Sequence, residues 1–581
     1  MKHRVSHQSI DRQLGQVLQQ VVGQLTSSGA RQPTPAQAAG EPAAPRLNTE
    51  TDGLPEAAFR WEMPKDASFG DLSNAVSFKV AAQRRRPPQQ LAEELSHAFL
   101  ARCRDVGLGT WIDRVEAKAG FLNVFLSTSA LVQVIRDVLR QRARYGTRRT
   151  PTARSINIEF LSANPTGPLS VAHGRQAAVG DVLARLLRSQ GYRVTTEYYL
   201  NDEGRQIEML GRSLRARYLQ ALGRPESFPE DGYHGQYVTD SAAALQQAHQ
   251  DRLADEPLAW FMQHGMQEQL GAIRQDLERF GLTFDRWTSQ QWLRTSGRID
   301  AALQALRDRG ALYDAEEATW FASMKFGDDK PRVVRKRDGE LTYLAPDIAY
   351  HQWKFQRGFD QLINLWGPDH HGYIARVKAA ATALGLPADR LVVRIVQLVT
   401  LSRQGTPVPM SKRQGEFVTF REVMDEVGID ATRFFFLMRT MESHLDVDLE
   451  LAKSHSQDNP VYYVQYAHAR ICSILAKARL PWLARWNTNL ELLQEPEERL
   501  LLRCVFHYPF VLRLCAAALE PHGITGYLRK LAESVHVFYT KHRVISDDRA
   551  LSAARLALVR ATRQVLANGL SLLGVSAPVR M

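Results

Sequence analysis

Cysteine is scarce in this sequence, with four residues in a chain of 581. These thiols, Cys103, Cys472, Cys504 and Cys515, are scattered along the chain and show none of the spacings of a zinc site. We therefore predict buried, reduced thiols and no structural metal. The same scarcity excludes a small secreted protein held together by disulfides.

Long apolar runs are also missing. No stretch reaches the roughly 18 apolar residues that a membrane-spanning helix requires, so we expect no membrane partner. The opening residues Met1–Arg4 are not followed by an apolar stretch, and a secretory signal is therefore not predicted. Together with the reduced cysteines, these absences predict a cytoplasmic protein.

Acidic residues are outnumbered, 62 against 74 basic ones, and the net charge is +12. The excess is uneven, because residues 461–581 carry 16 Lys and Arg against 8 Asp and Glu, a difference of +8. Concentrated positive charge suits a polyanion such as RNA, although a basic surface that only confers solubility remains an alternative. The length and the hydrophobic share of 44% predict three or four globular domains.

One segment has the pattern of a phosphate site. A short alternating strand at 156–160 leads into a Pro/Gly loop at 164–168, and a helix opens near His173. In this geometry the unpaired N–H groups and the dipole of the helix point at an anion. A second segment, 410–415, presents two cations that can meet the same phosphates. The pair predicts a nucleotide site.

Periodicity predicts the remaining elements. Residues 1–26 have a helical pattern, whereas 27–57 are rich in Ser, Gly, Pro and Ala and indicate a disordered insert. From residue 458 onward helices dominate, with Asp458 or Asn459 as the N-cap and Pro460 at the first helical position. The strand candidates expected to continue a mostly parallel sheet lie near 331–335, 361–365 and 391–399.

Eight segments resemble arginyl-tRNA synthetases, a family of class I aminoacyl-tRNA synthetases. They are EFLSANPTGPL at 159–169, EYYLNDEG at 197–204, YLAPDIAYH at 343–351, LWGPDHHGYIARVKAA at 365–380, MSKRQGEFVTFREV at 410–423, DATRFFFLMR at 430–439, DNPVYYVQYAHAR at 458–470 and LANGLSLLGVSAPVRM at 566–581. The likeness extends from about residue 58 to the end of the sequence.

The resemblance implies an α/β fold with a class I Rossmann-like catalytic domain built on a parallel sheet. It also implies an N-terminal α+β module that contacts tRNA and a C-terminal all-α bundle that binds the anticodon. The expected boundaries are 1–57 for the N-terminal helix and insert, 58–150 for the module that 1–26 begins, 151–455 for the catalytic domain with a largely helical insertion at about 205–325, and 456–581 for the helical domain.

The resemblance places the arginine site at Glu159, Asn164, Tyr343 and Asp347. Guanidinium is planar and always charged, so a selective pocket needs carboxylates that accept its donors in pairs. We expect Glu159 and Asp347 to hold the guanidinium together and Asn164 to hold the α-amino or carboxylate end. For any one of these residues, a structural ion pair is the alternative.

The resemblance also implies an ATP site, with Mg²⁺ arriving on ATP. His173, Lys412 and Arg413 are the expected catalytic residues. The expected ATP-binding residues are Ser162, Ala163, Pro165, Thr166, Gly167, Pro168, Leu169, Ser170, Val171, Ala172, His173, Gly174, Asp369, His370, Met410, Ser411 and Lys412.

The ATP signatures depart from the family pattern. The HIGH signature is degenerate, because Ser170 replaces its first histidine and Ala172 its glycine, while His173 is kept. Pro409 replaces the first lysine of the KMSKS signature. A methyl group at Ala172 is expected to cost about 1–3 kcal/mol if the adenine must approach the backbone there. Small backbone shifts could absorb both changes.

Tyr462, Tyr466 and Arg470 lie one helical turn apart and are the expected tRNA-binding residues. The alternative makes the tyrosines core residues of a helix bundle. Three functions follow: an arginine–tRNA ligase that uses ATP, a weakened paralogue that binds arginine or tRNA, or a ligase with another acceptor. We favour the first, acting on L-arginine and tRNA(Arg) as a monomer without DNA.

Overall fold

The computed structural model describes residues 10–28, 54–64, 66–148, 150–408, 418–478 and 488–581. Most of the predicted insert at 27–57 lies outside these residues. The second ATP signature does too, including Pro409, Met410, Ser411, Lys412 and Arg413.

The N-terminal part combines helices with an antiparallel three-stranded sheet of order β1-β3-β2. Its elements are α1 (Ile10–Ser28), β1 (Leu72–Asn74), α2 (Val76–Arg84), α3 (Pro88–Asp105), β2 (Ile112–Lys118), β3 (Phe121–Leu126) and α4 (Thr128–Gln141). The apolar stripe predicted for the first helix is buried in α1 and consists of Ile10, Leu14, Val17, Leu18, Val21 and Val22. Helix α1 packs against α3.

The central part holds most strands. Its elements are β4 (Ser155–Phe160), α5 (Val171–Ser189), β5 (Arg193–Leu200), α6 (Arg205–Ala221), α7 (Gln236–His249), α8 (Leu258–Arg279), β6 (Arg286–Ser289), α9 (Gln290–Thr295), α10 (Arg298–Asp308), β7 (Leu312–Ala315), β8 (Ala318–Phe321), β9 (Arg332–Arg335), α11 (Leu344–Gln356), β10 (Gln361–Trp366), α12 (Ile374–Ala383), β11 (Leu391–Ile395), β12 (Val399–Arg403), β13 (Thr406–Pro407), α13 (Phe420–Val427), α14 (Ile429–Phe436), β14 (Leu445–Asp448) and α15 (Leu449–Lys453).

The main sheet has the order β11-β10-β4-β5-β6, and every neighbouring pair is parallel. Strand β4 is central and buried from Ile156 onward, as expected for a strand covered on both faces. The carboxyl ends of β4, β5 and β10 meet at one edge, where ligands bind in open α/β sheets. The predicted α/β fold with a parallel sheet is confirmed.

One strand prediction was wrong in its partners. Strand β9, predicted near 331–335 for the parallel sheet, instead forms an antiparallel sheet with β7 and β8. Only ten residues, 322–331, connect β8 to β9, and a parallel crossover needs a dozen or more. The candidate at 391–399 contains β11, which pairs parallel with β10 as predicted, but its last residue begins β12, in a separate sheet with β13 and β14.

The predicted insertion at about 205–325 is helical in its first part, α6 to α8. It then contributes β6, which pairs with β5 as the edge strand of the main sheet. This strand was not predicted, because RWTS is short and lacks a clear alternating pattern.

The C-terminal part is a bundle of α16 (Pro460–Lys477), α17 (Pro496–Ala518), α18 (His522–Lys541) and α19 (Arg549–Leu573). The start of α16 is as predicted, since the Asn459 side chain accepts from the N–H groups of Val461 and Tyr462, and Pro460 lies in the first turn. Among the described residues, α17 is the one helix long and apolar enough to cross a membrane, but 67% of its apolar window is buried inside the protein. That burial is typical of a core helix.

Two buried arginines hold helix α5 in place. Arg175 of α5 donates to the carbonyls of Gln397, Thr440 and Ser443 at 2.8–2.9 Å. Arg433 of α14 pairs with Asp181 of α5 at 2.7 Å and also donates to the Leu573 carbonyl at the end of α19. Burial lowers the pKa of Arg175 to about 10, so it remains charged at neutral pH. Helix α5 is therefore held near its start and at its middle, and Arg433 also connects it to the C-terminal part.

Gly180 lets α5 lie close against β4. A Cβ built on Gly180 would be 2.1 Å from the ring of Phe160, which is itself fully buried. We expect Gly180→Ala to destabilise the protein by about 1–3 kcal/mol and to lower its melting temperature. The matched control is Gly271→Ala in α8, where no atom lies within 4 Å, and helix propensity predicts a small gain of stability. Equal melting temperatures for the two variants would contradict this packing.

Candidate active site

A sharp turn follows β4 at the carboxyl edge of the sheet. Leu161 and Ser162 adopt left-handed φ values of 72° and 39°, which non-glycine residues rarely do. The turn is held by β5, because the Tyr198 hydroxyl donates to the Ala163 carbonyl at 2.6 Å and the Tyr199 N–H donates to Ser162 Oγ at 3.1 Å. The strain is consistent with a functional loop whose shape the surrounding structure imposes.

The Pro/Gly loop is covered by the helical insertion. The Tyr237 hydroxyl of α7 donates to the Thr166 carbonyl at 2.7 Å. A Cβ on Gly167 would lie 2.9 Å from that hydroxyl, so glycine is needed for this close approach. Sequence analysis did not identify Tyr237 as a neighbour of the loop.

Ser170 caps α5 in the predicted ATP site. Its N–H donates to His173 Nδ1 at 3.1 Å, so a neutral His173 carries its proton on Nε2. Ser170 also forms an antiparallel bridge with Thr419, and the Phe420 N–H donates to the Leu169 carbonyl at 2.7 Å. The bridge and the hydrogen bond connect the HIGH signature to the residues that follow the KMSKS signature.

Some of the predicted ATP-binding residues cannot offer their side chains to a ligand. Ala163, Leu169 and Val171 are buried in the core, so only their backbone can meet a ligand. Gly174 packs against Phe420, whose ring a Cβ would approach to 2.3 Å. This part of the site therefore offers backbone groups and the His173 imidazole.

The predicted Asp369 and His370 follow β10 at the same edge of the sheet. Their side chains are exposed and lie 3.5 Å apart, Oδ2 to Nε2. A Cβ on the neighbouring Gly367 would be 2.6 Å from Asp369 Oδ1, so this turn is tightly folded. Its position agrees with a loop that faces a nucleotide.

Glu159, at the end of β4, is buried and already paired. Lys354 Nζ of α11 lies 2.7 Å from Glu159 Oε2 and 2.8 Å from Asn364 Oδ1. The lysine is fully buried and lies 4.7 Å from the centre of the Tyr350 ring. Asn364 Nδ2 is 2.8 Å from His351 Nε2, and His351 Nδ1 is 2.8 Å from the Asp347 carbonyl. A continuous polar network therefore runs along α11 beneath the site.

Asp347 differs from Glu159, because no cation lies within ion-pair distance of its carboxylate among the described residues. Burial raises the pKa of Asp347 to about 7, while the nearby Tyr373 hydroxyl opposes the rise and the charge of Glu159 adds to it. Among the described residues, the buried Tyr350 hydroxyl has no hydrogen-bond partner. A carboxylate without a cation and a hydroxyl without a partner together suit a cationic ligand.

The other two predicted arginine-site residues, Tyr343 and Asn164, are more exposed than Glu159. Tyr343 is 64% exposed and precedes α11, one turn before Asp347. The Asn164 amide donates to Gln206 Oε1 at 2.6 Å. Of the two carboxylates expected to hold the guanidinium, Glu159 is paired with Lys354, and Asp347 has no cationic partner among the described residues.

Sequence analysis missed Lys354 and its network. Asp347, His351 and Lys354 recur at i, i+4 and i+7, which places them on one face of an otherwise apolar helix. Burial lowers the pKa of His351 to about 3, and the charge of Lys354 lowers it further, so His351 is neutral. Polar residues at helical spacing on an apolar helix were the signal in the sequence that could have revealed this network.

The predicted tRNA-binding residues form part of a ring stack on the helical bundle. The rings of Tyr462 and Tyr466 are 6.1 Å apart and nearly parallel, and the His536 ring of α18 lies 5.8 Å from Tyr466. The Arg470 guanidinium lies 4.4 Å from the centre of the exposed Tyr539 ring. Because both predicted tyrosines are only half-buried, they are not core residues, and the stack can offer ring surface to a ligand.

Family models match nearly the whole chain. They are the arginyl tRNA synthetase N terminal domain at 46–126, the class I (R) tRNA synthetase catalytic domain at 134–225 and 274–447, and the DALR anticodon binding domain at 464–581. The chain belongs to the arginyl-tRNA synthetases. The stretch 226–273, which the catalytic model leaves unmatched, is narrower than the predicted insertion.

The names of similar proteins place them in the same family. "Arginine--tRNA ligase 1" of Halalkalibacterium halodurans is 46% identical and covers 91% of this chain and 95% of its own. "Arginine--tRNA ligase" of Bacillus licheniformis is 44% identical, with 92% and 96% covered. The solved arginyl-tRNA synthetase of Thermus thermophilus shares the fold, with a TM-score of 0.73, 21% identity and 97% and 100% covered.

An arginyl-tRNA synthetase of class I uses ATP to join L-arginine to tRNA(Arg), and a DALR domain supports tRNA binding. The first of the three predicted functions is therefore confirmed. The alternative of a weakened paralogue that only binds is not supported.

Proposed function

We propose that Asp347 is the carboxylate that selects arginine in this ligase. The observation that carries the proposal is its lack of a cationic partner in a site where Glu159 already has one. A guanidinium can donate two hydrogen bonds to one carboxylate, and leaving a buried carboxylate unpaired is costly. Lysine cannot reproduce the paired donors of arginine, and citrulline lacks the charge.

Glu159 then acts at the other end of the substrate. Its Oε1 has no hydrogen-bond partner among the described residues, whereas Oε2 is held by Lys354. We place the α-ammonium group of arginine near Oε1, with Asn164 beside it and Tyr343 at the entrance. This arrangement puts the substrate carboxylate next to the loop that follows β4.

The phosphates of ATP occupy that loop in our proposal. Backbone groups of 162–174 and the Nε2–H of His173 stabilise the α-phosphate while the arginine carboxylate attacks it and pyrophosphate leaves. ATP brings Mg²⁺ with it, and the exposed Asp369 is the carboxylate available at this edge. Lys412 and Arg413, outside the described residues, supply the remaining charge.

The remaining predictions stay proposals. The domain boundaries 58–150, 151–455 and 456–581 place a tRNA-contacting module before the catalytic domain and an anticodon-binding bundle after it. Tyr462, Tyr466 and Arg470 are the proposed tRNA contacts of that bundle. We also propose a cytoplasmic monomer that does not use DNA.

Arginine-dependent exchange of pyrophosphate into ATP tests this function. We expect exchange with L-arginine when tRNA(Arg) is present, and none with lysine or citrulline under the same conditions. Exchange with L-arginine but not with lysine or citrulline supports the proposed function. Tight tRNA binding without any exchange would instead indicate that the altered signature at Ser170 and Ala172 prevents adenylation.

Arginine binding should depend on pH through Asp347. Its pKa is about 7 in the free protein, and only the ionised form attracts guanidinium, so acidification weakens binding. We expect the Kd for L-arginine, measured by calorimetry, to rise about tenfold from pH 8 to pH 6. In Asp347→Asn the dependence should vanish, and a wild-type Kd that is constant over this range would contradict the assignment.

A further inference from the structure

A cavity of about 570 Å³ lies away from the active site, where three parts of the chain meet. Its lining comes from α1, from the segment 59–61, from Arg148 and the end of α5 in the central part, and from α17. None of the residues assigned above to arginine, ATP or tRNA lines it.

The cavity is strongly basic. Arg12, Arg60, Arg148 and Arg513 line it, and the one acidic side chain in its lining, Asp11, is paired with Arg513 at 2.5 Å. Within the part of the chain that the structure describes, no carboxylate forms an ion pair with Arg12, Arg60 or Arg148. Arg12, Arg60 and Arg148 are exposed, but partial removal from water and the charges of Arg513 and Arg148 lower the pKa of Arg12. Positive charge is therefore crowded here without compensation.

The floor of the cavity supplies apolar surface and an unsatisfied donor. Trp61 is 1% exposed, and its indole Nε1 has no hydrogen-bond partner in the part of the chain that the structure describes. Phe59 is buried beside it, and Gln190 and Tyr192 add polar groups from the central part. Buried donors usually have partners, so an unpaired one in a basic cavity points to a missing acceptor.

We propose that this cavity binds a small phosphorylated anion of about nucleotide size. Its volume falls within the usual range of about 300–1,000 Å³ for small-molecule sites. Guanidinium groups recognise phosphate through paired hydrogen bonds, and three of them here lack another partner. A concave site with an apolar floor favours a small ligand over the backbone of an RNA helix. Such a ligand would join the N-terminal, central and C-terminal parts.

The test is a calorimetric titration of the full chain with inorganic tripolyphosphate and without nucleotide, because ATP is itself a phosphorylated anion that would compete for the cavity. We expect a binding site that raises the melting temperature when it is filled and that depends on the cavity arginines. The double variant Arg12→Gln/Arg148→Gln should bind at least about tenfold more weakly at that site, because it loses two of the charged donors to the anion. The control Arg205→Gln/Arg224→Gln removes the same charge from exposed residues of the helical insertion and should bind like the wild type.

Three results would overturn the proposal. They are the absence of saturable binding by the wild type, equal weakening in both double variants, and displacement of tripolyphosphate by a tRNA(Arg) transcript whose own binding the cavity substitutions weaken. The last result would make the cavity part of an RNA interface. Circular dichroism and melting curves of both variants exclude misfolding as the cause of lost binding.

Discussion

Asp347→Asn is expected to lower kcat/KM for L-arginine by about 10²- to 10⁴-fold while the protein stays folded. Two charge-assisted hydrogen bonds at about 1.5–3 kcal/mol each account for a loss of this size. The fold should tolerate the change, because no cation pairs with this carboxylate among the described residues and burial disfavours its charge. Pyrophosphate exchange with tRNA present measures the effect.

Citrulline provides the matched control for this prediction. It has the shape of arginine but no charge, so the wild type should prefer arginine strongly and Asp347→Asn should lose most of that preference. A variant whose activity falls equally with both substrates would show a general defect. In that case Asp347 would not be the selecting carboxylate.

Lys354→Met is expected to have the largest effect on stability. The substitution leaves Glu159 buried without its cation, and breaking one partner of a buried pair costs about 3–5 kcal/mol. Asn364 also loses the donor to its side-chain oxygen. We expect a marked fall in melting temperature together with weaker arginine binding, because Glu159 no longer keeps its position.

The double variant Lys354→Met/Glu159→Gln separates the two effects. Removing both charges should restore much of the stability, since no uncompensated charge remains buried. Arginine binding should stay weak, because the carboxylate proposed for the α-ammonium group is gone. A single variant Lys354→Met that melts like the wild type would show that the pair contributes little to the fold.

The sequence predicted those features of the helices that depend on residues close together in the chain. The N-cap of α16 follows from the order Asn459-Pro460, and the buried stripe of α1 follows from its periodicity. These features depend on residues a few positions apart. The loop after β4 was likewise predictable, because proline and glycine restrict or widen backbone choices within the loop itself.

The features that were not predicted correctly depend on contacts between residues that are far apart in the sequence. Strand β9 has an ordinary strand pattern, and only the short connection from β8 decides that it pairs antiparallel. The partner of Glu159 is Lys354, 195 positions away, so the motif around Glu159 could not reveal it. Ser170 is a similar case, because its backbone forms an antiparallel bridge with the distant Thr419, which the signature around Ser170 does not show.

A crystal structure with L-arginine bound tests the central claim most directly. We predict two guanidinium nitrogens within about 2.7–3.1 Å of the Asp347 carboxylate oxygens, with Lys354 still on Glu159. A guanidinium that contacts Glu159 instead, or that lies beyond hydrogen-bond distance of Asp347, would contradict it.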